Sequence, residues 1–175
     1  MHIDYQKGKH VRIDQRAYCE WILKRFSFES IKSAATPLDP VVKLSAEDSP
    51  AEINEADRKL FMEIYGSLLY AAVSTRPDIA KAMTALGRFM ANPGPSRVIA
   101  IKRVLRYIAG TLDRGLEYTN KPWRVEAFDT EIPPHKIVNF TDSDWAGDLD
   151  TCNSTSTTCT FIAGPPKLQH IQAQS

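Results

Sequence analysis

Residues 66–119 read GSLLYAAVSTRPDIAKAMTALGRFMANPGPSRVIAIKRVLRYIAGTLDRGLEYT, and the punctuation of this stretch decides the fold. It divides into three consecutive helices followed by a short strand. Pro77 stands where the first turn of a helix accepts proline, and Asp78 follows where the positive end of the helix dipole favours an acid. Asn92-Pro93-Gly94-Pro95 stops that helix and starts the next. In the last helix Val98, Ile101, Val104, Leu105 and Ile108 fall on one side, and Lys102, Arg103 and Arg106 on the other. The helix before it repeats the arrangement, with Ile79, Met83, Leu86 and Met90 inward and Lys81 and Arg88 outward. One side builds a core; the other is basic.

Upstream, residues 56–73 place Phe61, Ile64, Tyr65, Leu68, Leu69 and Ala72 at helical spacing. Gly66 inside this run is expected to permit close packing, because a mid-helix glycine otherwise costs about 1 kcal/mol. Residues 33–50 form a proline-bearing extended connection. Residues 15–26 form a helix capped by Asp14, with Tyr18, Trp21, Ile22 and Phe26 on its core side. His2-Ile3-Asp4-Tyr5 and His10-Val11-Arg12-Ile13 alternate about a Lys7-Gly8-Lys9 turn, which predicts a β-hairpin. A lone hairpin is marginal in water, so these strands need a sheet to join. Downstream, Gly115 to Thr119 reads as a strand and residues 120–136 as a linker or peripheral hairpin.

Composition narrows the function classes. Charged residues at 25% and apolar residues at 43% are the proportions of a globular protein. The net charge of +1 argues against a uniformly basic nucleic-acid binder, although clustering on one face matters more than the total. Cys19, Cys152 and Cys159 have no CxxC spacing, and His2, His10, His135 and His170 are scattered singly, so no zinc site is expected. No apolar run approaches the roughly 18 residues of a membrane span, and the N-terminus lacks a signal-peptide core. The expected location is intracellular, in cytoplasm or nucleus, with no membrane partner.

The chemically suggestive run is Ile137-Val138-Asn139-Phe140-Thr141-Asp142-Ser143-Asp144. An alternating strand ends in Asp-x-Asp, which puts Asp142 and Asp144 on the same side, where paired carboxylates suit a hard divalent ion. Asp148 and Asp150 read as a solvated acidic loop. A calcium loop starting at Asp142 would need an acid or amide at Ala146 and a glutamate at Asn153, so it fails. No phosphate-binding glycine loop or nucleophile elbow is present.

Thr75-Arg76-Pro77-Asp78-Ile79, Arg88-Phe89-Met90, Lys102-Arg103-Val104-Leu105-Arg106-Tyr107, Gly110-Thr111 and Gly115-Leu116, in that order, resemble the polyprotein of copia-type LTR retrotransposons. The Thr36-Pro37-x-Asp39-Pro40 linker and the run into Asp142 are similar to that family too. The resemblance implies an α+β chain: an N-terminal hairpin and a mainly helical thumb/connection-like body over 1–119, a linker over 120–135, and an incomplete ribonuclease H-like strand pair over 136–175. By that match Asp142 corresponds to the first ribonuclease H aspartate, with Asp144 beside it as an incomplete metal site. Magnesium is the metal of the parent family, and tight binding by this chain is not expected. The palm strands with their paired aspartates and the ribonuclease H glutamate helix have no counterpart here, and residues 165–175 depart from the family's apolar third strand.

The resemblance therefore implies a fragment of a reverse transcriptase/ribonuclease H polyprotein, inactive on its own, whose partners are the missing palm and ribonuclease H segments. An RNA–DNA hybrid or template-primer duplex would lie on Lys81, Arg88, Lys102, Arg103 and Arg106. Two alternatives stand beside it: a retained module that binds nucleic acid or a polymerase, and a decayed reading frame without function.

Overall fold

The hairpin forms as the alternation predicts. The computed structural model describes residues 1–39, 54–125, 130–133, 136–143, 156–162 and 171–174. Strands β1 (His2–Gln6) and β2 (His10–Asp14) are antiparallel, with Ile3 opposite Ile13 and Tyr5 opposite Val11. Gly8 makes the turn at φ +74°, a conformation that favours a residue without a Cβ. The other edge of β2 is taken by β3 (Leu116–Thr119), with Tyr118 opposite Val11 and Leu116 opposite Ile13. The chain thus supplies its own third strand, in the order β1-β2-β3. Cross-strand partners share a face, so Ile3, Tyr5, Val11, Ile13, Leu116 and Tyr118 make one side apolar. Gly115 enters β3 where a Cβ would lie 2.6 Å from the Ile13 carbonyl oxygen and 2.8 Å from the Asp14 Cβ.

The N-cap of the first helix is Gln15, without a side-chain cap, rather than Asp14 as expected; Asp14, one residue earlier, accepts at Oδ1 from the Arg16 N–H at 3.2 Å. Helix α1 (Arg16–Arg25) buries Cys19, Ile22 and Leu23. Trp21 is not a core residue, contrary to the expectation from spacing, and remains 48% exposed. The buried stripe runs through positions 19, 22 and 23, which turns position 21 sideways. Its ring stacks on Tyr18 at 5.7 Å between centroids, and the Arg25 guanidinium lies over it at 5.4 Å. The helix ends through Ser27 at φ +61°, with Phe28 N–H bonding back to the Leu23 carbonyl at 2.8 Å.

Helix α2 (Glu55–Ser74) begins on Asn54, whose Oδ1 accepts from Ala56 N at 3.0 Å and Asp57 N at 3.3 Å. Such a cap stabilises a helix by about 1 kcal/mol. Phe61, Ile64, Leu68, Ala71 and Ala72 form its buried side. Gly66 corrects another expectation: a Cβ built there meets nothing within 4 Å, so the glycine permits no close packing. Proline ends α2 and nucleates the next element as a 3₁₀ turn (Pro77–Ile79), which runs into α3 (Ala80–Gly87). This helix stops short of Asn92. Phe89 N–H and Met90 N–H bond to carbonyls three residues back, and that tighter turn swings Phe89 into the interior.

Helix α4 (Pro95–Ala109) has proline in its first turn and buries Ile101, Val104, Leu105 and Ile108 completely. Together with α1, α2 and α3 it closes one core, in which each fully buried aliphatic side chain contributes about 1.5–3 kcal/mol.

Residues 120–136 contain a small hairpin, β4 (Trp123–Val125) against β5 (Thr130–Ile132). Beyond it, β6 (Ile137–Ser143) pairs antiparallel with β7 (Ser156–Ile162). A third strand, β8 (Ile171–Gln174), then takes the free edge of β7 with Ile171 opposite Cys159. The tail is therefore not limited to a strand pair. An edge of unpaired backbone groups templates the short alternating Ile-Gln-Ala-Gln run.

Candidate nucleic-acid interface

The outer side of α4 is less free than its helical wheel implies. The Arg103 guanidinium donates to the Thr36 carbonyl at 3.2 Å, to Thr36 Oγ1 at 3.1 Å and to Asp39 Oδ2 at 3.3 Å. Arg106 Nε donates to the Lys32 carbonyl at 2.8 Å, and Arg106's own carbonyl accepts from Ala34 N–H at 3.2 Å. Both arginines thereby fasten the segment after α1 onto α4. Lys102 stays half-exposed and forms no ion pair among the described residues. Lys81 is exposed on α3, and Arg88 is exposed just beyond it with its guanidinium 5.3 Å from the centre of the Phe89 ring. Lys102, Arg103 and Arg106 converge on a common pocket; Lys81 and Arg88 do not line it.

The acidic run lies only in part among the described residues. Asp142 lies on β6 opposite Thr157, on the same side as half-buried Val138 and Phe140, and is exposed. Asp144, Asp148 and Asp150 lie outside the described residues. Among the described residues no group of three or more His, Cys, Asp or Glu side chains is arranged to hold a metal ion.

Where the interior turns polar, the segment Thr75-Arg76-Pro77-Asp78 meets the end of α4. Arg76 is 1% exposed and Asp78 has 5% of its side chain exposed. Their planar groups pair in bidentate fashion, Nε to Oδ1 at 3.0 Å and Nη2 to Oδ2 at 2.8 Å. The remaining donors of Arg76 reach Thr111, Nη1 to its carbonyl at 3.0 Å and Nη2 to Oγ1 at 2.6 Å. Thr111 Oγ1 in turn donates to the Tyr107 carbonyl at 2.7 Å. The Tyr107 hydroxyl donates to Asp78 Oδ2 at 2.8 Å and accepts from Arg114 Nη1 at 2.7 Å. Burial, and then the Asp78 carboxylate, push the Tyr107 hydroxyl up to about 12. Burial pulls the Arg76 guanidinium down, but its bond to Asp78 outweighs that and holds it above the ordinary arginine range.

Thr75 extends the node by donating from Oγ1 to Gln15 Oε1 at 2.9 Å, at the head of α1. A second buried arginine, Arg97, lies over the Phe89 ring at 4.3 Å. The sequence reading places Asp78 at a helix start and assigns none of these residues to a buried network. Thr75, Arg76, Asp78, Tyr107 and Thr111 stand in the quoted order of matches, whereas Gln15, Arg97 and Arg114 do not.

The chain as a whole is similar to known proteins. The chain is 36% identical over 156 residues to a retrovirus-related Pol polyprotein from transposon TNT 1-94 of Nicotiana tabacum, covering 87% of this chain and 11% of the relative. It is 31% identical over 156 residues to the Pol polyprotein from transposon RE1 of Arabidopsis thaliana, covering 89% of this chain and 10% of the relative. The chain belongs to the copia-type retrotransposon Pol family. It spans about a tenth of the length of these Pol relatives. A third relative, a secreted RxLR effector protein of Plasmopara viticola, is 38% identical over 96 residues, which is 55% of this chain and 60% of the effector. No family model matches the chain, and no solved structure matches it. Among the described residues of this Pol segment, no helix is long and apolar enough to cross a membrane.

Proposed function

We propose that this chain is the stretch of a copia-type Pol polyprotein in which the end of the reverse transcriptase runs into the start of ribonuclease H, and that alone it neither polymerises nor cleaves. The observation that carries this reading is the match to Pol polyproteins across 87% and 89% of the chain. The buried node adds support, because Arg76, Asp78, Tyr107 and Thr111 are residues of the matching order and are bonded to one another rather than to solvent. Within the polyprotein the helical body would contact phosphates of a template-primer duplex or RNA–DNA hybrid through Lys81, Arg88 and Lys102, with Arg103 and Arg106 shaping the surface beneath.

A retained binding module is the second reading, and the effector relative favours it. A match of 96 residues makes up 60% of that protein, so sequence of this type also forms most of a protein outside the Pol polyproteins.

One assay addresses both readings. Fluorescence anisotropy with a 20-base-pair RNA–DNA hybrid is expected to show weak, sequence-independent binding. With three phosphate contacts its log–log salt slope would be about −3, reduced by about one per cation in Lys81→Ala, Arg88→Ala and Lys102→Ala. Binding unchanged in the triple variant would remove the phosphate-contact reading. Magnesium-dependent hybrid cleavage that Asp142→Asn abolishes would overturn the inactive one.

A further inference from the structure

Between the segment after α1 and the outer side of α4 lies a pocket of about 260 Å³. Phe28, Ile31, Leu38, Ile99 and Ala100 give it an apolar lining, and Lys102, Arg103 and Arg106 stand around it. Two of the apolar groups remain open to solvent, Ile99 at 70% and Ile31 at 40%. Asp39 offsets one of the three cations through its 3.3 Å contact with Arg103, which leaves the pocket positive. The bonds of Arg103 and Arg106 to Thr36 and Lys32 hold both guanidinium groups at the mouth before any ligand arrives. Among the described residues, Lys102 and the Arg106 Nη groups make no hydrogen bond of their own.

From this geometry we infer that the pocket is a docking site for an acidic peptide segment, which seats one large apolar side chain among Phe28, Leu38 and Ile99 and sets its flanking carboxylates against Lys102, Arg103 and Arg106. Three features select this occupant. The volume falls just under the roughly 300–1,000 Å³ of ordinary small-molecule sites and suits a single side chain. Apolar anchors seated in pockets with charges at the rim are the usual anatomy of a peptide interface. A nucleic-acid strand is a poorer match, because base stacking needs exposed aromatic faces and four of the five apolar groups here are aliphatic.

The site shares Lys102 with the proposed duplex contacts, and Ile99, which those contacts do not use, separates the two. The probe is the unlabelled peptide Glu-Asp-Glu-Trp-Leu-Glu-Asp, titrated calorimetrically into the full chain up to about 1 mM, which detects interactions as weak as about 4 kcal/mol. Its controls are one peptide with lysine for every acid and one with Ala-Ala for Trp-Leu. Binding of the probe alone is expected, weakened at least about tenfold by Ile99→Asp and by Lys102→Glu. Ile99 is so exposed that its replacement leaves the fold intact, and an unchanged melting temperature checks this. Absence of binding at the highest concentration would overturn the proposal, as would equal binding of the lysine peptide or an affinity that neither substitution alters. Competition by the RNA–DNA hybrid that Ile99→Asp abolishes would overturn it in favour of a nucleic-acid occupant. The phosphate-contact reading instead fails or survives on the Lys81 and Arg88 variants, which lie outside the pocket.

Discussion

Arg76 and Arg106 sit on the same helical body, yet one is sealed in the interior and the other lies along the surface. Arg76 bonds to a carboxylate, a hydroxyl and a carbonyl that all come from segments meeting at the end of α4. Arg106 uses only Nε, to tie down one passing carbonyl. The difference lies in what replaces water. At Arg76 protein groups take the place of water, because an unpaired buried charge is strongly unfavourable. At the surface water completes whatever the protein leaves open. A basic sequence motif can therefore mean a structural joint or an accessible face, and only its partners tell which.

The largest expected effect breaks the interior side of this contrast. Asp78→Asn leaves the Arg76 guanidinium buried without its counter-charge and is expected to cost about 3–5 kcal/mol, which lowers the melting temperature by about 10 °C. A loss under about 1 kcal/mol would mean that water reaches the node. Next in size is Tyr107→Phe, which removes two hydrogen bonds and should cost about 1–3 kcal/mol at neutral pH. This variant also has a pH signature. The folded hydroxyl titrates near 12 and the unfolded one near 10, so the fold binds the protonated form. That contribution is complete below pH 10 and is lost as pH rises from 10 through 12. In Tyr107→Phe, stability measured by urea unfolding should fall less steeply across this window, by about one proton; identical slopes would contradict the assignment. The smallest effect belongs to the surface: Arg106→Ala should cost less than about 1 kcal/mol while increasing hydrogen exchange at Ala34, because losing the Nε bond to the Lys32 carbonyl loosens the segment that Ala34 N–H ties to the Arg106 carbonyl.

Much of the body is legible from the sequence because burial there follows period and punctuation. Ile101, Val104, Leu105 and Ile108 are buried as their spacing requires, and Pro77 and Pro95 open their elements. Trp21 misleads because its three-residue spacing from Tyr18 does not say which neighbouring stripe a helix buries. Gly66 misleads in another way: it lies on exposed helix, so Gly66→Ala should raise stability by about 1 kcal/mol. The polar node was hidden for a deeper reason. Its members come from residues 75–78 and 107–114, and nothing local in either segment reports that the two meet. The same holds for the pocket, which joins α4 to a connection expected only to be extended.

The pairing of β2 with β3 also bears on how the chain comes to be assembled. The Arg12 side chain bonds the Asp113 carbonyl across 101 residues of sequence. Closing a loop of that length costs about 4 kcal/mol of chain entropy beyond a constant, so this seam forms after the hairpin and the helices. On a ribosome adding about 5–20 residues per second, β2 leaves the tunnel about 5–20 s before its partner strand exists. Through that interval its outer edge is a row of unsatisfied backbone groups. At Gly115 the seam then closes so tightly against Ile13 and Asp14 that only a residue without a Cβ fits there.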